Sequence, residues 1–159
     1  MVKYFYSFLV ILIFATSSYA QDSVAVNTTS ESIWMQDFSN AEKLTRSTEK
    51  PMLIFFTGSD WCGPCKMLVS DIFESDRFKE EIKEEFILYE ADFPRNKDLI
   101  SDSQRSDNYK LKNKYTVSSY PTIVVINNKR KVLGRMKGYN LMRDTSYHYT
   151  FFEDVLNKN

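Results

Sequence analysis

Cys62 and Cys65 are the only cysteines in this chain of 159 residues, and only two residues separate them. A bridge closing so short a loop removes little entropy from the unfolded chain, so the pair adds little as a staple. Reactivity explains it better. A thiol attacks a disulfide only as its thiolate, and a free cysteine is mostly protonated at neutral pH. Thr57-Gly58-Ser59-Asp60 reads as a turn, which places Cys62 at the start of the helix that follows. Unpaired backbone N–H groups and the positive end of the helix macrodipole stabilise an anion there. The Cys65 thiol, one turn on, can hydrogen-bond the same sulfur, and Pro64 fits a first turn because it needs no N–H donor. Cys62 is therefore expected to be the attacking thiol and Cys65 the buried resolving thiol. Trp61 beside them reads as a cover that touches substrate. A metal site is the competing interpretation, but structural zinc takes four ligands and this motif offers two. The single histidine, His148, reads as a packed or surface residue, so only a site completed by a second chain stays open. No metal or cofactor is expected.

The elements around the pair follow from hydrophobic patterning. Ser39 and Glu42 have the spacing of a capping box, ahead of a helical face of Phe38, Ala41, Leu44 and Thr45. Pro51 ends that helix, and Met52 to Phe56 is a continuous apolar run, as in a strand buried on both faces. Cys65, Leu68, Val69, Ile72 and Phe73 form a helical stripe. Phe78, Ile82 and Phe86 continue it past a break near Ser75, and Ile87 to Asp92 is the next strand. Pro94 to Tyr115 is mostly polar, with Leu111 and Tyr115 at helical spacing, and fits either a helical excursion or a surface loop. Thr122 to Ile126 is a second buried strand, and Asn127-Asn128-Lys129 turns it into Lys131 to Met136. Ser146 to Leu156 is a closing helix with Tyr149, Phe152 and Leu156 inward. This order predicts an α/β fold, a central mixed β-sheet flanked by helices.

Trp61-Cys62-Gly63-Pro64-Cys65-Lys66, between a buried strand and a helix, resembles the active site of the thioredoxin family. Tyr120-Pro121-Thr122 resembles its second mark, a cis-proline opening a strand that faces the cysteines. The likeness runs from about Phe38 to Leu156. It implies the thioredoxin fold, thiol–disulfide oxidoreductase chemistry at Cys62 and Cys65, and a substrate surface of Trp61, Gly63, Pro64, Tyr120 and Pro121. The Tyr120 backbone would pair with an extended substrate segment; a trans Pro121 that merely starts a strand is the plainer reading. One departure stands out. Typical thioredoxins bury an Asp in the strand before the motif, where it helps move the resolving cysteine's proton. Here that strand ends in Phe55-Phe56. Asp60 lies nearer the motif as a turn or capping residue, and whether it or water takes the proton is left open.

Lys3, the apolar run Tyr4 to Ala15, and small residues at Ser18 and Ala20 form a signal-peptide pattern over residues 1–20. A membrane anchor would need a longer run to cross roughly 30 Å of hydrocarbon. Residues 21–32 read as a flexible mature N-terminus carrying the sequon Asn27-Thr28-Thr29, and 33–159 as the thioredoxin-like domain. An exported, periplasmic or secreted protein is expected, with no stable membrane insertion once the signal is removed. Twenty-one basic residues balance twenty-one acidic ones, so no bulk field draws the protein to nucleic acid. Partners would be protein disulfide substrates and a membrane electron donor. The Gly63-Pro64 dipeptide, through the resemblance, favours a reductase. A disulfide oxidase or isomerase is the first alternative, and a non-catalytic peptide-binding module the second.

Overall fold

A computed structural model describes residues 32–159. The signal-peptide pattern and the sequon lie outside the described residues. Helix α1 spans Phe38–Thr48. Its cap is Asp37, whose carboxylate accepts the Asn40 N–H at 2.9 Å, not the expected Ser39. Ser39 sits inside the first turn, and Glu42 turns away to pair with Arg130 and with Arg46. The helix buries Ala41 and Thr45, while Leu44 stays 42% exposed, at the margin of the expected face.

Strand β1, Met52–Thr57, is buried at all six positions. It pairs in parallel with β2 (Ile87–Asp92) and antiparallel with β3 (Thr122–Ile126), which pairs antiparallel with β4 (Val132–Lys137). The sheet order is β2-β1-β3-β4, so the most apolar strand is central. Met35 bridges to Tyr89 along the outer edge of β2 and satisfies backbone groups that would otherwise be an open edge.

Alternate residues of β1 feed two cores, as pleating requires. Leu53 and Phe55 face the layer that contains Cys62, Cys65, Leu68, Ile72, Phe73 and Phe152. Met52, Ile54 and Phe56 face the other, with Ala41, Tyr89, Leu111 and Tyr115. Each fully buried side chain of this size contributes about 1.5–3 kcal/mol, which is why the run shows no alternation in sequence. Both faces are dry.

Helix α2, Gly63–Leu68, widens without interruption into a π-type winding over Val69–Phe73. Ser75 ends it, as the break in the apolar spacing suggested. Its hydroxyl meets the Ile72 carbonyl at 2.6 Å and accepts the Phe78 N–H at 3.2 Å. A second wide segment, Phe78–Ile82, then leads to β2. The polar excursion contains helix α3, Asp102–Lys114, capped by Ser101. The closing helix α4, Ser146–Leu156, turns Tyr149, Phe152 and Val155 inward, with Leu156 only half-buried. The result is a mixed four-stranded sheet with helices on both faces.

Candidate active site

Cys62 and Cys65 are joined as a disulfide, with Cα atoms 5.2 Å apart. Cys62 is the N-cap of α2. Its extended backbone precedes the first turn, and its sulfur accepts the Cys65 backbone N–H at 3.3 Å. An unpaired helix N–H therefore points at the sulfur expected to attack. In this disulfide form Cys62 is nearly as covered as Cys65, at 3% and 1% exposure, because its sulfur turns inward to its partner and its cap bond. Pro64 occupies the first turn, where no N–H is required. A Cβ built on Gly63 meets nothing, so the residue is not fixed by packing within the chain and leaves the surface above the pair bare.

Trp61 lies across the turn before the pair, 38% exposed. Its indole N–H donates to the Phe93 carbonyl at 2.9 Å, and its ring meets Tyr120 edge-on at 5.8 Å. Gly58 makes this possible, since a Cβ there would lie inside the indole. The Tyr120–Pro121 peptide bond is cis, Pro121 is buried, and its carbonyl accepts the Gly138 N–H at 2.8 Å. The fold thus brings Tyr120 against Trp61, and Tyr120 also packs on the core layer that holds the cysteines. The loop after Gly138 is fastened to the helix behind the pair. Tyr139 donates to the Asp71 carboxylate at 2.6 Å and Arg143 pairs with both its oxygens. Those bonds, Arg143 first, hold the Asp71 carboxyl down at about 2.

Several residues that organise this site escaped the sequence reading. Asp92, at the end of β2 and 4% exposed, accepts both the Ser59 N–H at 2.8 Å and the Ser59 hydroxyl at 2.5 Å. Asp60 sits in the expected turn, but its carboxylate reaches across to the N–H groups of Arg95 and Asn96 and does not cap α2. Those bonds, Asn96 first, hold it below the usual carboxylate value. Arg95 lies over the Trp61 ring at 5.3 Å. Lys66 is exposed, and its ammonium donates to the Asp60 carbonyl at 3.2 Å. His148 is buried against Tyr139, and desolvation lowers its pKa. Among the described residues no three His, Cys, Asp or Glu side chains gather as metal ligands.

The strand–turn–helix placement of a Cys-x-x-Cys pair on a mixed sheet defines a thiol–disulfide class of α/β protein. The family profile described as "Thioredoxin-like domain" matches residues 38–145, and the chain belongs to that family. It is 35% identical over 101 residues to "Disulfide bond reductase DsbH" of Chlamydia pneumoniae, covering 64% of this chain and 60% of that one. It is 27% identical over 116 residues to "Thioredoxin-related protein DsbJ" of the same organism, covering 72% and 33%. The chain therefore spans between a third and three-fifths of the length of these curated relatives. A solved structure titled "DsbH Oxidoreductase" superposes with a TM-score of 0.68 at 28% identity, covering 79% of this chain and 85% of that one.

Proposed function

We propose that this protein is an exported thiol–disulfide oxidoreductase that reduces disulfides in other exported proteins. The observation that carries the reading is the Cys62 sulfur at the N-cap of α2, bonded to the Cys65 N–H and within disulfide reach of the Cys65 thiol. Cys62 attacks a substrate disulfide, and Cys65 resolves the mixed disulfide that results. Trp61, Gly63, Pro64, Tyr120 and Pro121 form the surface that receives the substrate. The bare Gly63 admits a substrate chain close to the sulfur, and the Tyr120 backbone pairs with it by strand addition. Export through residues 1–20 places the protein in the periplasm or outside the cell, where a membrane electron donor must keep the pair reduced. Among the described residues no helix is long and apolar enough to cross a membrane.

The likeness to a protein named a disulfide bond reductase supports the reducing direction. Insulin reduction by the purified protein, and equilibration of the pair against glutathione followed by tryptophan fluorescence, test the proposal together. The expected potential is near the thioredoxin value of about −270 mV; a potential near the strong-oxidant value of about −120 mV would replace reductase by oxidase or isomerase. Absence of insulin reduction with a fully reduced pair would leave only a peptide-binding module.

A further inference from the structure

We propose that Glu90 accepts the proton that Cys65 must lose before it can resolve a mixed disulfide, doing from β2 what no carboxylate on β1 can do here. The proposal rests on the exchange chemistry proposed above. In β1, Phe55 rather than Phe56 faces the cysteine layer, so the position under the pair is a fully buried phenyl ring. Trp34 and Phe73 pack on that ring at 5.5 and 5.0 Å and leave it no polar neighbour on those sides. Glu90 is the register partner of Phe55 on the adjacent parallel strand, and partners in a ladder point to the same face. Its neighbour two residues back, Leu88, belongs to the cysteine layer as well.

Glu90 opens into a cavity of about 330 Å³ that it shares with Thr57, Ser59, Lys66, Val69 and Glu74. Lys66 and Val69 are one and four residues past Cys65, so the far wall of the cavity is the helical turn that carries the resolving cysteine. Ordered water needs only about 10–15 Å³ of such space, so the cavity can hold water between the carboxylate and the turn that carries Cys65, which does not itself line the cavity. Among the described residues the Glu90 carboxylate has neither a hydrogen bond nor an ion pair. The rival acids are engaged elsewhere: Asp92 on Ser59, and Asp60 on Arg95 and Asn96. Burial, with the charge of Asp92 adding to it, pushes Glu90 up to about 7, the range in which a carboxylate both takes and returns a proton at neutral pH. The charged groups facing it are Lys66 on α2, Glu74 beyond the π-type winding, and Asp92 on its own strand.

The step balances as follows. The Cys65 proton passes to the Glu90 carboxylate, and the thiolate attacks the Cys62 sulfur. The Cys62–substrate S–S bond breaks as the Cys62–Cys65 bond forms. The electron pair leaves on the substrate sulfur, which takes a proton from solvent, so the dithiol is oxidised and the substrate disulfide reduced.

Single-turnover reaction of the reduced protein with a cystine-bridged peptide, acid-quenched and resolved by mass, separates attack from resolution. Glu90→Gln should leave the attack rate unchanged and slow resolution about a hundredfold between pH 6 and 7.5, the low end of what a positioned base supplies. The mixed disulfide should accumulate, the deficit should shrink as pH nears the thiol range, and Glu90→Asp should restore part of the rate. Resolution by Glu90→Gln with the wild-type pH profile would overturn the role of Glu90 alone. Attack and resolution slowed alike at every pH would mark a structural effect and overturn it too. A wild-type protein that leaves the cystine-bridged peptide unreduced would instead sink the oxidoreductase reading, and this inference with it.

Discussion

The Asp92–Ser59 clamp can be weighed by a double-mutant cycle. Ser59 precedes Trp61 by two residues and Cys62 by three, and Asp92 holds it through N–H and hydroxyl contacts of 2.8 and 2.5 Å. The carboxylate is 4% exposed, so water does not compete freely. A hydrogen bond to a charged group contributes about 1.5–3 kcal/mol. Ser59→Ala removes the hydroxyl bond and keeps the N–H bond, so it should cost about 1.5–2 kcal/mol. Asp92→Ala removes both and strands the Ser59 N–H, for about 3–4 kcal/mol, while its backbone carbonyl still accepts from Asn108. In the Asp92→Ala background, Ser59→Ala has nothing further to lose, which predicts a coupling of about 1.5–2 kcal/mol. Urea unfolding of the four proteins, at pH 8 with the cysteines oxidised, should show midpoints moving while the slope stays constant. If the two single effects add in the double variant to within about 0.3 kcal/mol, the clamp is not formed and its role in holding the cysteine turn falls.

Two other expectations are open to simpler measurements. Cys62→Ser should abolish disulfide exchange and Cys65→Ser should trap a mixed disulfide visible by mass; normal turnover by Cys65→Ser would reverse the assigned roles. Glu90 should make stability pH-dependent, because its folded value of about 7 lies above the ordinary 4.5. The folded state then binds more protons than the unfolded one between these values, so stability falls as pH rises from about 4.5 to 7. The loss is on the order of 2–3 kcal/mol, and Glu90→Gln should flatten it in chemical denaturation at pH 5 and 8. An unchanged slope in that variant would show that Glu90 titrates normally.

What the sequence revealed and what it hid follow from the kind of force involved. β1, β3 and the α2 stripe were legible because continuous or periodic apolar runs are a local record of burial. Helix α3 was not, because it docks through polar groups. Buried Asn108 accepts from the Tyr89 hydroxyl at 2.7 Å and donates to the Asp92 carbonyl at 2.8 Å, and Gln104 is buried beside it. An inward face made of Gln104, Asn108 and Leu111 carries no hydrophobic period. The cap of α1 was misplaced because Asp37 and Ser39 are both good caps, and only the path of the preceding segment past β2 chooses between them. Cys62, Cys65, Trp61, Gly63 and Pro64 stand in one local motif and could be read directly. Asp92, Asp60 and Glu90 could not. The partners of Asp92 and Asp60 lie more than thirty residues away, and all three acids reach the site only because a parallel crossover sets the ends of β1 and β2 side by side.

The surroundings of the pair also bear on the proposed direction of electron flow. A cation beside the attacking sulfur stabilises the thiolate, hence the dithiol, and makes an oxidant. The nearby cations are occupied otherwise: Lys66 bonds the Asp60 carbonyl and Arg95 lies over the Trp61 ring. The helix start remains as the favourable influence on the thiolate, and the layer beneath the pair is aromatic, with Trp34 and Phe73 packed on the Phe55 ring. A dithiol only modestly stabilised would tilt the balance toward the disulfide, as the proposed reductase requires. The same aromatic layer removes the acid that would have drawn the proton from Cys65. The proposed reductase would need its proton acceptor beside that layer rather than within it, and Glu90 on β2 is where the sheet supplies a carboxylate.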